Sequence, residues 1–160
     1  MTNRTTTPTR LDSPPIPVQA TIAAAWTSFM FLYVYVDVLG FYKPGVLDGV
    51  LNGLVWEFDV SAALLTTFLV SVSIPAVMVV LSTALPARVN RITNIVVASL
   101  YIPFTLFNAV GETWEWAAFY GISIAIEVLL LVFILRTAAT WPRTAVVAAP
   151  ETADREEANV

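Results

Sequence analysis

The sequence predicts an all-α membrane protein: four antiparallel transmembrane helices in up-down-up-down order, with a short amphipathic helix in the interface between the first two. Three observations carry this. Of 160 residues, 58% are hydrophobic and only 12% charged, with a mean hydropathy of +0.76, whereas a soluble domain carries about 25% charged residues. The apolar residues gather into four stretches, each close to the roughly 20 residues that a helix needs to span a bilayer. Apart from Asp37 and Glu127, charge is segregated into the segments between and beyond them, so the net charge of −4 says little about partners. No basic stripe of the kind nucleic acid requires is present.

The absence of Cys and His excludes disulfides, thiolate nucleophiles and Cys/His zinc sites, His- or Cys-ligated haem, and thiol–quinone redox chemistry. No cofactor is expected. No acids cluster closely enough to suggest a carboxylate metal site, and no nucleophile–base pair points to an enzyme.

Residues 1–19 read as a disordered cytoplasmic tail, rich in Thr and Pro without an apolar period. The apolar run after this tail is too long for a signal peptide, contains Asp37 and lacks a small-residue cleavage site. The transmembrane domain covers 20–136. Its first span runs over about 20–42, with Trp26 and Phe41-Tyr42 read as interfacial aromatics. Asp37 lies six residues before Lys43, roughly 9 Å below the far interface, on one face with Tyr33 and Gly40. One reading of Asp37 is a shallow acid that simply reaches the headgroups.

Residues 43–58 place Val46, Leu47, Val50, Leu51, Leu54 and Val55 on one face and Asp48, Gly49, Asn52 and Gly53 on the other. That pattern predicts a short interfacial helix begun by Pro44. Gly45, Gly49 and Gly53 also have the spacing that lets helices approach closely. The second span, about 59–81, carries Thr67, Ser71 and Pro75 at intervals of four. The proline frees a carbonyl and bends the helix. A loop over 82–91 carries Arg88, Asn90 and Arg91. The third span, about 92–110, puts Asn94, Ala98, Tyr101, Thr105 and Asn108 on one narrow arc, which belongs inside, where its hydrogen bonds can be met. Pro103 interrupts this helix as well. After the acidic turn 111–115, the fourth span, about 115–136, sets Tyr120, Ser123 and Glu127 on one face. Residues 137–160 read as a second disordered tail.

Arg4, Arg10, Arg88, Arg91, Arg136, Arg143 and Arg155 fall on one side of such a topology and only Lys43 on the other. Basic residues mark the cytoplasmic side, so both termini belong in the cytoplasm of a bacterial inner membrane. The bias argues against a dual-topology dimer.

Glu127 and Asp37 are the residues of greatest interest. A charge at membrane depth costs about 2.5–3.5 kcal/mol on insertion scales and marks a function or a specific partner. Glu127 lies nine residues from Arg136, roughly 13 Å above the boundary. The two acids therefore sit on different levels, which argues against a direct dyad. Tyr33 is the polar neighbour expected for Asp37, and Ser123, Tyr101 or Asn94 for Glu127. Either acid is a proton-relay candidate or a protonated group bridging helices. Arg91 is a charge partner for Glu127 or a snorkelling residue.

Several motifs resemble one bacterial family: Phe41-Tyr42-Lys43-Pro44-Gly45 after the Asp37 span, Ile74-Pro75, Leu85-x-x-Arg88-x-Asn90-Arg91-x-x-Asn94, and Ile126-Glu127. That family comprises small four-helix integral membrane proteins known only as a domain of unknown function. The resemblance covers roughly residues 24–138. It implies a fold and a location but no reaction, and it singles out Asp37, Arg88, Asn90, Arg91, Asn94 and Glu127.

The function expected from the residues is a small proton-linked transporter or channel-like protein, its polar interior built from Tyr33, Asp37, Thr67, Ser71, Asn94, Tyr101, Thr105, Asn108, Ser123 and Glu127. The alternative is a non-catalytic accessory or assembly subunit. Expected partners are the lipid bilayer and either further copies of the chain or a larger membrane complex.

Overall fold

The computed structural model describes residues 15–142; of the tails expected to be disordered, 1–19 and 137–160, the parts 1–14 and 143–160 lie outside these residues, whereas 18–19 and 137–139 are helical, continuing the first and last long helices. Within the described residues four helices are long and apolar enough to cross a membrane. Helix α1 spans Val18–Gly40, α3 Ala62–Ala84, α4 Ala87–Phe107 and α5 Ala117–Ala139; a single turn of 3₁₀ helix, Trp114–Trp116, precedes α5. Between α1 and α3 lie a six-residue helix α2, Val46–Leu51, and a small antiparallel pair, β1 Leu54–Val55 with β2 Phe58–Asp59.

The connector departs from the single amphipathic helix expected over 43–58. Gly53 has φ 77°, a left-handed conformation natural to glycine, and ends the helical turn. Leu54 and Val55 then pair with Asp59 and Phe58. Gly45, at φ 83°, is the residue that caps α2, so Pro44 lies before the cap rather than inside the first turn. The glycines at 45 and 53 thus serve backbone conformation, and the four-residue spacing is not a packing stripe. Gly111 is the third with positive φ (86°), and there a Cβ would come within 3.0 Å of the Trp56 ring. The connector is therefore seated against the segment joining α4 to α5.

The link between α3 and α4 is far shorter than the expected loop. Ala84 ends α3, Leu85 is extended (φ −78°, ψ 147°), as the residue before a proline prefers, and α4 begins at Ala87 directly after Pro86. Arg88, Asn90 and Arg91 consequently lie on the first turns of α4, not in a loop.

The long helices pack in the order α3–α1–α5–α4, while α3 and α4 make few close backbone contacts despite their two-residue link. Long side chains fill the space between them. From α1, Trp26 and Phe29 meet Tyr101 edge-on at 6.1 and 5.7 Å, and Tyr33 lies 6.3 Å from Phe104. Trp26, read from the sequence as an interfacial aromatic, is in fact fully buried. Its indole N–H reaches Asn94 at 2.6 Å, the partner a buried tryptophan needs. Around it lie Ile22, Phe29, Met78, Leu131 and Ile134.

Burial is uneven along the helices. On α1 the last buried residue is Tyr33, and on α3 the first is Pro75. The core therefore occupies the half nearest the Leu85–Pro86 link. In the half nearest the connector, α1 beyond Tyr33 and α3 before Pro75 bury nothing. Large apolar side chains such as Leu65, Leu69, Leu100 and Leu129 face outward from the helices.

Proline inside a helix leaves the carbonyl four residues earlier without its N–H. For Pro75 that carbonyl belongs to Ser71, and the Tyr101 hydroxyl donates to it at 2.5 Å. Tyr101→Phe is expected to cost about 0.6–1.7 kcal/mol, the range of interhelical hydrogen bonds in membranes. Unfolding in mixed micelles measures it; no change would mean the bond contributes nothing net.

Candidate functional site

Two polar layers and an end clamp lie along the helices. The first layer surrounds Asn94. Its Oδ1 accepts from Trp26 Nε1 (2.6 Å) and Ser82 Oγ (3.3 Å), and its Nδ2 donates to the carbonyl (2.9 Å) and Oδ1 (2.6 Å) of Asn90. Asn90 Nδ2 in turn donates to the Ser82 carbonyl at 2.6 Å. That carbonyl belongs to the last turn of α3, where backbone acceptors lack intrahelical partners, so α4 caps α3 with a side chain. All of Asn94's hydrogen-bonding capacity is used. This layer is a closed structural network.

Glu127 lies in the second layer. It is 2% exposed, and Thr105 is fully buried. The Thr105 hydroxyl lies within hydrogen-bonding reach of the Glu127 carboxyl on α5, at an angle or distance short of a well-formed bond. This contrasts with Thr27, Thr66 and Thr67, whose hydroxyls all bond the carbonyl four residues earlier. Asp37 and Glu127 both lie within charge range of the Tyr33 hydroxyl and of one another. Asp37 itself is exposed, on the stretch of α1 that buries nothing.

The other residues named from the sequence are dispersed. Ser123 is buried but bonds the Tyr120 carbonyl on its own helix. Thr67 is exposed and bonded to its own helix, outside the interior expected for it. Asn108 is half-buried at the C-cap of α4, nearly a full turn beyond Thr105. Arg91 donates through Nη2 to the Ala139 carbonyl at 3.3 Å, where the negative end of the α5 dipole favours a cation; it is engaged there rather than with Glu127. Arg88 is exposed. Among the described residues no three potential metal ligands come together.

The clamp closes the connector end, and its pairing spans too much sequence to be read there. Lys43 Nζ meets Glu112 Oε2 at 2.5 Å and the Tyr120 hydroxyl at 3.2 Å, and lies over the Trp116 and Tyr120 rings. Burial alone lowers the Lys43 pKa, but the hydrogen bonds and charges of Glu112 and Tyr120 outweigh it and hold the ammonium above its ordinary value. A raised pKa stabilises the fold below the unfolded value, about 10.4, and the gain is lost only as pH rises through the folded one. Lys43→Met is expected to cost about 1–3 kcal/mol, equally at pH 6 and pH 9, in thermal unfolding of the detergent-solubilised protein. A cost that vanished at pH 9 would contradict this assignment.

Residues 18–148 match the model of a family of unknown function (DUF6326). No curated protein and no solved structure matches the chain.

Proposed function

The chain belongs to that family, and because membership brings no reaction with it, we propose from the geometry that this is a small proton-linked transporter or channel-like protein. Glu127 is its protonatable centre. The observation that carries the reading is Glu127 itself: a nearly inaccessible acid against the fully buried Thr105 hydroxyl, with no described cation paired to it. The connector half, where α1 and α3 bury nothing, provides the approach by way of exposed Asp37. The packed half around Trp26 closes the opposite side.

The arrangement proposed is an antiparallel four-helix bundle in a bacterial inner membrane, with both termini cytoplasmic and α2 in the outer interface. Support comes from contacts that descend on α3 as they ascend on α4, Ser82 with Asn90 and Ser71 with Tyr101. Arg91 beside the end of α5 and Lys43 at the connector agree with the charge bias. Outward-facing apolar side chains on all four helices suit lipid contact.

The test is proton flux into proteoliposomes loaded with a pH-sensitive dye, comparing wild type with Glu127→Gln. Equal flux, or none in either, would remove the reading. A second reading, an accessory subunit of a larger complex, is favoured by α3, whose first half buries nothing within the chain. Recovery of the chain alone after gentle extraction would count against it.

A further inference from the structure

We infer that the connector half of α1 and α3 is a docking surface for a transmembrane helix of another polypeptide, one that carries a single Lys or Arg at the depth of Asp37. This rests on the second reading above, assembly into a larger membrane complex, and names the surface and the chemistry of the partner.

The surface is the part of the bundle that its own helices leave uncovered. From Ala62 to Val70 every residue of α3 except Leu64 is exposed. Such a stretch makes about two and a half turns, so α3 is open here nearly all the way round rather than on one lipid-facing side. Beside it, α1 exposes Val34, Tyr35, Asp37, Val38 and Leu39, although α1 and α3 are neighbours in the packing order.

Asp37 decides what fits there. Within 34–41 and 62–74 it is the only charged residue. The hydroxyls of Thr66, Thr67, Ser71 and Ser73 all donate to carbonyls of their own helix, so none of them serves the carboxylate. The only ion pair among the described residues is Lys43 with Glu112. Asp37 lies six residues before Lys43, roughly 9 Å along the helix. An acid at membrane depth is costly when it faces lipid, and such residues pair with an opposite charge.

The cation has to come from outside the chain. A second copy in the same orientation does not supply it. Its Lys43 is held by Glu112 and Tyr120. Its Arg88, Arg91 and Arg136 lie at the opposite end of the bundle, where Arg91 meets the Ala139 carbonyl. Its own Asp37 would set like charge against like, which disfavours both carboxylates. What complements the surface is an apolar helix of a different polypeptide with one basic residue. The apolar side chains of α1 and α3 provide the packing, and the charge pair fixes the register.

The test is energy transfer between the labelled full chain in liposomes and Leu/Ala transmembrane peptides of about 23 residues. One peptide carries a single Lys about six residues from one end, a second carries Leu at that position and a third carries Glu. The Lys peptide is expected to associate about tenfold more tightly than the Leu peptide, a difference of about 1.4 kcal/mol, and the Glu peptide least of all. Asp37→Asn should abolish the preference and Asp37→Glu should keep it, with thermal unfolding confirming that both variants are folded. The comparison of peptides on the unaltered chain decides the matter without them. Equal association of all three peptides, strong or absent, or a Lys preference that survives Asp37→Asn, would overturn the inference. So would energy transfer between two labelled copies of the chain that the Lys peptide fails to displace, which would assign the face to self-association. A different polypeptide co-extracted with the chain alongside any of these results would leave the accessory reading standing, so the two fail separately.

Discussion

Glu127→Gln is expected to lower proton flux about 100-fold, within the range by which a positioned acid–base group accelerates proton transfer, while leaving the protein folded. Glutamine keeps the shape of the side chain and removes only the titrating oxygen. The introduced amide can still face the Thr105 hydroxyl that lies beside the carboxyl, and the substitution relieves the core of an acid held at 2% exposure. The unfolding midpoint should stay level or rise. Asp37→Asn provides the contrast. Its exposed carboxylate acts on approaching ions through its field, and its loss should reduce flux by less than about tenfold, more strongly at low salt than at high. Comparable losses from both variants would mean that the acids act as one unit rather than as rim and centre. Unchanged flux in Glu127→Gln would dismiss Glu127 as the protonatable centre.

Trp26→Ala is expected to be the most destabilising single substitution, at about 3–5 kcal/mol, as for large aromatic side chains removed from a core. The indole is fully buried, packs edge-on against Phe29 and Tyr101, and donates to Asn94. Trp26→Phe separates these contributions. It keeps an aromatic ring but loses the N–H, leaving Ser82 as the donor to Asn94 Oδ1, and should cost about 0.6–1.7 kcal/mol from the bond plus a smaller packing loss. Reversible unfolding in mixed micelles reads both. If the two variants were equally destabilised, the hydrogen bond rather than the packing would govern the site. If neither were destabilised, the core would lie elsewhere.

Periodicity made one face of α4 legible from the sequence. Asn94, Ala98, Tyr101 and Thr105 recur at helical spacing, and all four are buried. The same arithmetic carried Asn108 onto the stripe, because spacing alone does not show that the helix ends at Phe107. Partners were not legible, since they come from distant positions. Trp26 looks like a belt residue until Asn94, 68 positions away, supplies its acceptor. Lys43 looks like a stray cation until Glu112 folds beside it. Proline spacing announced a freed carbonyl at Ser71; that Tyr101 would take it depended on α4 lying alongside. The four-residue glycine spacing misled because left-handed conformation and close packing leave the same mark in sequence. Glu127 stood out because acids are rare in such spans; Thr105 was legible as one position of the polar arc, but its place beside Glu127 depended on α5 lying against α4.

The side-chain cap that Asn90 places on α3 bears on how the chain is made. Asn90 and Ser82 are eight residues apart, across a link of only two residues. These bonds can close as soon as α3 and α4 have left the ribosome, while α5 is still unsynthesised. With α1 already in place, Trp26 can dock on Asn94 at the same stage. Domains and their parts assemble in synthesis order when their contacts allow it. The acid on α5 therefore enters the bilayer last, beside a helical hairpin already locked by its amides. The carboxylate, costly to insert, meets a finished wall of hydroxyl and aromatic groups instead of bare lipid.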